Sequence, residues 1–416
     1  MLQSNRATEI SSRESYWSLM LASLRYRDFR LVWLGSATEH FGEFMEVAAI
    51  LWLVNELTHS PLMLTIVGSC RFITMIFFPV VGGVAADRVN RRNLLITALL
   101  CSALLSVSLT MLAVTRLISV WHLIVISLCS GVVTSFNHPA RQSIVPNLVK
   151  KEHLLNAIAL DSISVQAFRI ISMPIAGYIM AFMGVWSIFI LRALGCLLAV
   201  FWLLLARVPQ KEVAPRIHVW QSLTEGFRYL QTHTIILGLV VLYLIPRIVM
   251  NTYTNFLPVF ANDVLRIGAV GYGYLQAAPG MGAITSLVGL TALTYYKRKA
   301  MLLVGAGAIM GIGLISLSIS PWVFLSLSSL AVIGAMQTAF NTVNSTMIQS
   351  VLPDEVRGRV MSWREVAFGL GPTGSILFGA VAQHTGVPIS LELLGGICIA
   401  ISILLVLVLR RFESVE

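Results

Sequence analysis

Apolar blocks of about 20 residues or more, such as Ile309–Ile333 and Leu391–Leu409, constrain this chain more than any other feature. Each is long enough to cross a bilayer's hydrocarbon core as a helix. Charged residues make up only 12% of the chain and apolar ones 57%, against about 25% and about 45–50% in soluble domains. A soluble protein this poor in charge could not solvate its surface, and so apolar a chain does not stay disordered. Reading apolar blocks between charged or Pro/Gly breaks predicts twelve helices at 31–56, 62–86, 93–114, 119–139, 156–183, 185–207, 233–259, 270–295, 300–319, 321–345, 360–385 and 388–410. The expected fold is all-α and integral to the membrane, with twelve transmembrane helices in two pseudo-symmetric six-helix bundles.

The division into halves comes from the longest polar stretch, 208–232. There Trp220, Leu223, Phe227 and Leu230 recur at helical spacing, as in an amphipathic helix on the inner membrane surface. It separates 31–207 from 233–410, two blocks of near-equal length, with tails at 1–30 and 411–416. The loop after the fourth span contains Asn137 and Val145-Pro146-Asn147. The loop after the tenth contains Asn341 and Leu352-Pro353-Asp354, and Gly131 and Gly334 precede them at similar distances. Together these favour two six-helix repeats, a common transporter plan. With both ends of the chain in the cytoplasm, most of the 29 Lys and Arg, Arg141 included, fall in inner segments, and the outer loops carry only Arg116 and Arg266. The positive-inside rule requires that orientation.

Four arginines remain inside apolar spans: Arg71, Arg169, Arg192 and Arg247. A charge near the bilayer centre costs at least about 2.5–3.5 kcal/mol, so each should face a partner or a water-filled cavity. The first span offers Glu39, Glu43 and Glu46, which at about 100° per residue share one helical face. Two readings follow. The carboxylates either only neutralise Arg71, Arg169 and Arg247 to hold helices together, or at least one carries substrate or a coupled proton. Arg192, nearer the outer end of its span, reads as snorkelling to the interface, and His40 as packing beside the glutamate stripe. Asn251 shares a face with Arg247 and Thr254, Gln337 and Asn341 share one with Asn344, and Ser162 and Gln166 share one with Arg169. These polar residues are either cavity lining or interhelical glue.

Other chemistries find little support. Cys70, Cys101, Cys129, Cys196 and Cys398 all lie in apolar blocks without metal-ligand spacing and read as small buried hydrophobes. No nucleotide-binding G-x-x-x-x-G-K-[ST] loop and no nucleophile–base spacing stands out. No enzyme, resident metal or cofactor is expected. The basic excess has no soluble domain to carry it, so no nucleic-acid partner is expected either.

The loop after span two reads Gly83-Val-Ala-Ala-Asp87-Arg88-Val-Asn-Arg91-Arg92 and fits G-x-x-x-D-R-x-x-R-R. It resembles the cytoplasmic signature of the major facilitator superfamily. Pro139-Ala-Arg141-Gln142, Leu155-Asn156-Ala157 and Pro353-Asp354-Glu355-Val-Arg357-Gly358-Arg359 narrow the resemblance to the exporter branch with macrolide-efflux and enterobactin-exporter-like proteins. The resemblance implies export of a small amphiphile by proton antiport, in a multi-pass cell membrane protein (the inner membrane in a Gram-negative cell) acting as a monomer. It also implies an inner gate, in which Asp87, capping the N-terminus of span eleven, meets Arg88, Arg91, Arg92, Arg357, Arg359 and Arg364, with Gly83 permitting close packing. Span five departs from the antiporter pattern: it keeps Pro174 and Gly177 but has Arg169 where the first glycine belongs, and Ser127 stands where span four often has arginine. Coupling is therefore expected on the Glu39–Glu46 stripe. A lipid or lysophospholipid transporter on the same scaffold, and a membrane receptor or sensor, are the rival readings.

Overall fold

The computed structural model describes residues 22–88, 90–208, 219–292 and 298–413. Among these residues there is no strand. The first half contains α1 (Arg27–Thr58), α2 (Pro61–Arg88), α3 (Arg91–Val114), α4 (Val120–Ile144), α5 (Leu154–Met183) and α6 (Val185–Leu205). A linker helix α7 (Val219–Thr232) follows. The second half contains α8 (Thr234–Leu242) and α9 (Leu244–Val259), which form one broken span, then α10 (Gly268–Ala292), α11 (Lys299–Ser318), α12 (Val323–Val351), α13 (Asp354–Thr385) and α14 (Val387–Glu413). Twelve spans in two six-span halves thus stand where the apolar blocks lie. The expected tail boundary at 31 moves: α1 already starts at Arg27, and Phe29 is buried.

Local chemistry sets the breaks. Pro61 opens α2 at the first helical position, where its missing N–H costs nothing. Asn90 caps α3, its side chain accepting from the Arg92 amide at 3.0 Å. Gly184 (φ 86°) and Gly386 (φ 90°) turn the chain between the last two helices of each half, in a region L side chains rarely adopt. The seventh span, expected to be continuous, breaks at Tyr243 because Pro246 cannot donate to the carbonyl of Leu242.

The repeat is visible in the helix crossings. A side-chain carbon at Gly131 of α4 would strike the Arg71 carbonyl of α2, and one at Gly334 of α12 would strike the Pro279 backbone of α10. Each half thus uses one glycine to bring its second and fourth spans into backbone contact.

Among the described residues, one apolar cluster joins the halves. A single apolar cluster runs through both, from Met45, Trp52, Val67 and Met180 to Phe256, Tyr272, Leu317 and Leu391, all at the end away from the linker. At the linker end the clusters are separate: Phe29, Leu99, Ile144 and Leu203 in the first half, Leu230, Val240, Ile348 and Val360 in the second. The far-end seam includes Gly273 of α10 against Met173 and Pro174 of α5, and Gly379 of α13 against Thr65 of α2. The Tyr272 hydroxyl donates to the Ala48 carbonyl at 3.2 Å, and Ser69 donates to the Pro372 carbonyl at 3.1 Å.

The linker helix docks on α13 as well as being amphipathic. Glu225 pairs with Arg359 at 2.9 Å, Phe227 lies 5.1 Å from the Trp363 ring, and Leu230 is buried.

Candidate functional site

Between the halves lies a cavity of about 390 Å³. The first half supplies Glu39, His40, Glu43, Glu46, Arg71, Arg141, Arg169 and Arg192; the second supplies Met250, Asn251, Thr254, Asn255 and Gln276. Among the described residues, every charged group on its wall belongs to the first half, and the second contributes neutral polar and apolar side chains.

Helical periodicity makes α1 the acidic spine of this site. Its three glutamates climb about 10 Å along one face, and each meets a guanidinium from a different helix. Arg141 of α4 donates to Glu39 Oε2 at 3.1 Å, and Asn137, one turn earlier on α4, donates to Oε1 at 2.6 Å. Arg71 of α2 pairs with Glu43 and donates to the Thr134 hydroxyl at 2.9 Å. Arg192 of α6 reaches Glu46 at 3.3 Å and donates to the Glu39 carbonyl at 2.5 Å, while Ser106 of α3 donates to Glu46 at 2.9 Å. Glu39, Glu46, Arg141 and Arg192 are each under 10% exposed. Burying so many charges is tolerable only because every one is paired and hydrogen-bonded.

His40 belongs to the same network. Its Nδ1 lies 2.7 Å from the Ser36 carbonyl and its Nε2 lies 2.8 Å from Arg141 Nη2. A carbonyl only accepts and a guanidinium only donates, so Nδ1 carries the proton and Nε2 is the acceptor. The ring is a partner of Arg141 rather than packing alone.

Glu39, Glu43, Glu46, Arg71, Arg169 and Asn251 all lie on the cavity wall, but their partners differ from the expected ones. Arg192 does not snorkel: it is 4% exposed and paired with Glu46, because Gly42 of α1 lets its backbone come close. Arg141 is not a loop residue. The polar Asn137-His-Pro-Ala-Arg141 stretch reads as a loop, yet α4 continues to Ile144 and carries Arg141 on the face of Asn137. Asn137 and Arg141 are the site residues that sequence reasoning missed, and their i, i+4 spacing was the available signal.

Arg247, Gln337 and Asn341 do not line the cavity. Arg247 donates to the Tyr243 hydroxyl at 2.7 Å, a turn back on its own span, and Gln337 donates to the Pro246 carbonyl at 2.8 Å. Both brace the second half, and Asn341 Oδ1 is buried.

Of the expected inner-gate residues, Arg92, Arg359 and Arg364 meet other partners. Arg359 pairs with Glu225 and Arg364 lies 4.2 Å over the Tyr243 ring, both within the C-terminal part of the molecule. Arg92 donates to the Leu203 and Leu204 carbonyls at the end of α6. Gly83 and the side chains of Asp87, Arg88 and Arg357 lie outside the described residues. Arg91 opens α3. No group of three or more metal-ligating side chains is found among the described residues.

A cavity with buried charges, placed between two six-helix halves that join at one end, is the architecture of a membrane carrier. Comparison with known proteins agrees. The chain is 28% identical over 409 residues to the enterobactin exporter EntS of Escherichia coli O6:K15:H31 (strain 536 / UPEC), covering 96% of both chains. It matches the EntS of Shigella boydii serotype 18 (strain CDC 3083-94 / BS512) to the same extent. In fold it resembles the crystal structure of the nucleoside transporter NupG (TM-score 0.70, 14% identity, 92% of this chain and 98% of that one). It also resembles a bacterial homologue of the human lysosomal transporter Spinster, inward-facing and occupied (TM-score 0.72, 14% identity, 93% and 97%). The family model for transmembrane secretion effectors matches residues 18–416. The chain belongs to that family of the major facilitator superfamily, and it is a multi-pass membrane transporter.

Proposed function

We propose that this transporter exports a small amphiphilic, siderophore-like molecule by alternating access, driven by proton antiport. The observation that carries the reading is the interdomain cavity, bordered by apolar packing and lined by three Glu–Arg pairs, two of them buried. Full-length similarity to enterobactin exporters supports the cargo class. The lysine and arginine distribution puts the linker and both termini in the cytoplasm, so the open side of the cavity faces the cell interior, where an exporter collects its cargo. The loop from Gly83 to Arg92, with Arg357 and its neighbours, closes that side in the opposite state. The transporter works as a monomer, since each chain encloses its own cavity.

The coupling groups are Glu39, Glu43 and Glu46. Protonation of one removes the charge its arginine faces and frees that guanidinium, which links proton uptake to rearrangement of the helices around α1. The test is transport in proteoliposomes under an imposed pH gradient, comparing wild type with Glu39→Gln, Glu43→Gln and Glu46→Gln. At least one substitution is expected to abolish gradient-driven export while the protein still folds. Full gradient-dependent transport by all three would refute the coupling assignment.

A further inference from the structure

We propose that Arg169 is the recognition residue for an acidic group on the cargo, so that the cavity selects amphiphiles bearing a carboxylate-type anion. The inference rests on the export reading above and adds the charge of the substrate and the residue that reads it.

The charges on the cavity wall do not balance. Four arginines face three glutamates there. Arg71, Arg141 and Arg192 are each bonded to a carboxylate. Arg169 is not: among the described residues its guanidinium makes no hydrogen bond and no ion pair, and only its carbonyl is engaged, by Ser172. It lies mid-helix on α5, one turn before Met173, which shares the wall. A guanidinium at membrane depth is retained where it meets a partner or a watery cavity, and Arg169 has only the cavity. An anion bound at any of the other three arginines would have to displace a glutamate, whereas at Arg169 it displaces water.

Placement adds to the case. Arg169 belongs to the first half, and the next residue, Ile170, packs against Gly280 of α10 in the second. Asn251 and Thr254, also on α9, line the same cavity and offer neutral hydrogen-bonding groups. An acidic group on Arg169 therefore sits at the divide between the halves, where its binding can bias their relative position. The rest of the wall, including Phe44, Phe72 and Met250, is apolar and suits an aryl or alkyl body. A cationic cargo would meet an excess positive charge with nothing free to neutralise it.

The test uses the full chain in lipid nanodiscs and two fluorescent probes that differ only in one charge, dansyl-phenylalanine and its methyl ester. Wild type is expected to bind the acid roughly 10- to 100-fold more tightly than the ester, the range for hydrogen bonds to charged groups. Arg169→Gln should abolish that preference by weakening acid binding alone, and Arg169→Lys should keep part of it. Loss of preference in wild type, whether both probes bind or neither does, overturns the proposal, as does a preference that survives Arg169→Gln. Should Arg169→Gln fail to fold, the wild-type comparison and Arg169→Lys still decide. Because binding is read at equilibrium without a gradient, its outcome is independent of whether the proteoliposome export assay succeeds.

Discussion

Arg141 reaches two acceptors at once, Glu39 Oε2 at 3.1 Å and His40 Nε2 at 2.8 Å, and is only 8% exposed. Removing one member of such a buried set leaves the others desolvated and unpaired. Arg141→Gln should therefore lower stability by about 3–5 kcal/mol, whereas an arginine in a solvated loop would change it by less than about 0.5 kcal/mol. Thermal unfolding in detergent micelles distinguishes the two. Combining it with Glu39→Gln should cost less than the two single changes summed, the mark of direct interaction.

The same residue shows where sequence reading runs out. Glu39, Glu43 and Glu46 are legible as one stripe because helical periodicity alone puts them on one face. Which arginine each one meets is not, because that depends on how α2, α4 and α6 pack around α1. Arg141 follows polar residues and a proline, and so resembles a cytoplasmic positive charge; Arg247 resembles the paired arginines in sequence, yet Tyr243 on its own span satisfies it.

The linker helix α7 poses the same problem one level up. The spacing of Trp220, Leu223, Phe227 and Leu230 announces an amphipathic helix, but its apolar face fits a protein surface or a membrane surface equally well. Its dock is α13, and Gly226 permits the approach: a side-chain carbon there would come within 2.8 Å of the Arg359 carbonyl and 3.1 Å of the Trp363 ring. The Glu225–Arg359 pair is 37–45% exposed on its side chains, and such a pair contributes only about 0–1 kcal/mol. Packing, not charge, should hold α7 in place. Gly226→Val is expected to release the helix and speed limited tryptic cleavage at Arg228, while Glu225→Gln should leave the rate near that of wild type. Equal rates for Gly226→Val and wild type would place the docking energy elsewhere.

Across the whole molecule, the symmetry of the two halves and the asymmetry of their junction together define a conformation. Gly131 and Gly334 occupy matching crossings, and Gly184 and Gly386 matching turns, so the two halves repeat one plan. Among the described residues, the apolar cluster that joins them is distinct from the separate clusters at the linker end. In the alternating-access cycle proposed above this seam splits in the other state, and its contacts hold the present one. Gly273 is the narrowest place to test: an added carbon would come 2.5 Å from the Met173 carbonyl and 3.0 Å from Pro174 across the seam. Backbone atoms cannot rotate away as a side chain can, so Gly273→Val should wedge α10 from α5 and move the population towards the state open at the far end. Spin labels at Leu117 and Ile319, exposed far-end sites in opposite halves, should report a longer distance in Gly273→Val than in the unsubstituted labelled protein. Loss of the single Tyr272–Ala48 hydrogen bond in Tyr272→Phe should give a smaller change of the same sign, since one such bond contributes only about 0.5–1.5 kcal/mol. Identical distance distributions in all three proteins would mean that the apolar cluster holds the seam without help from these contacts.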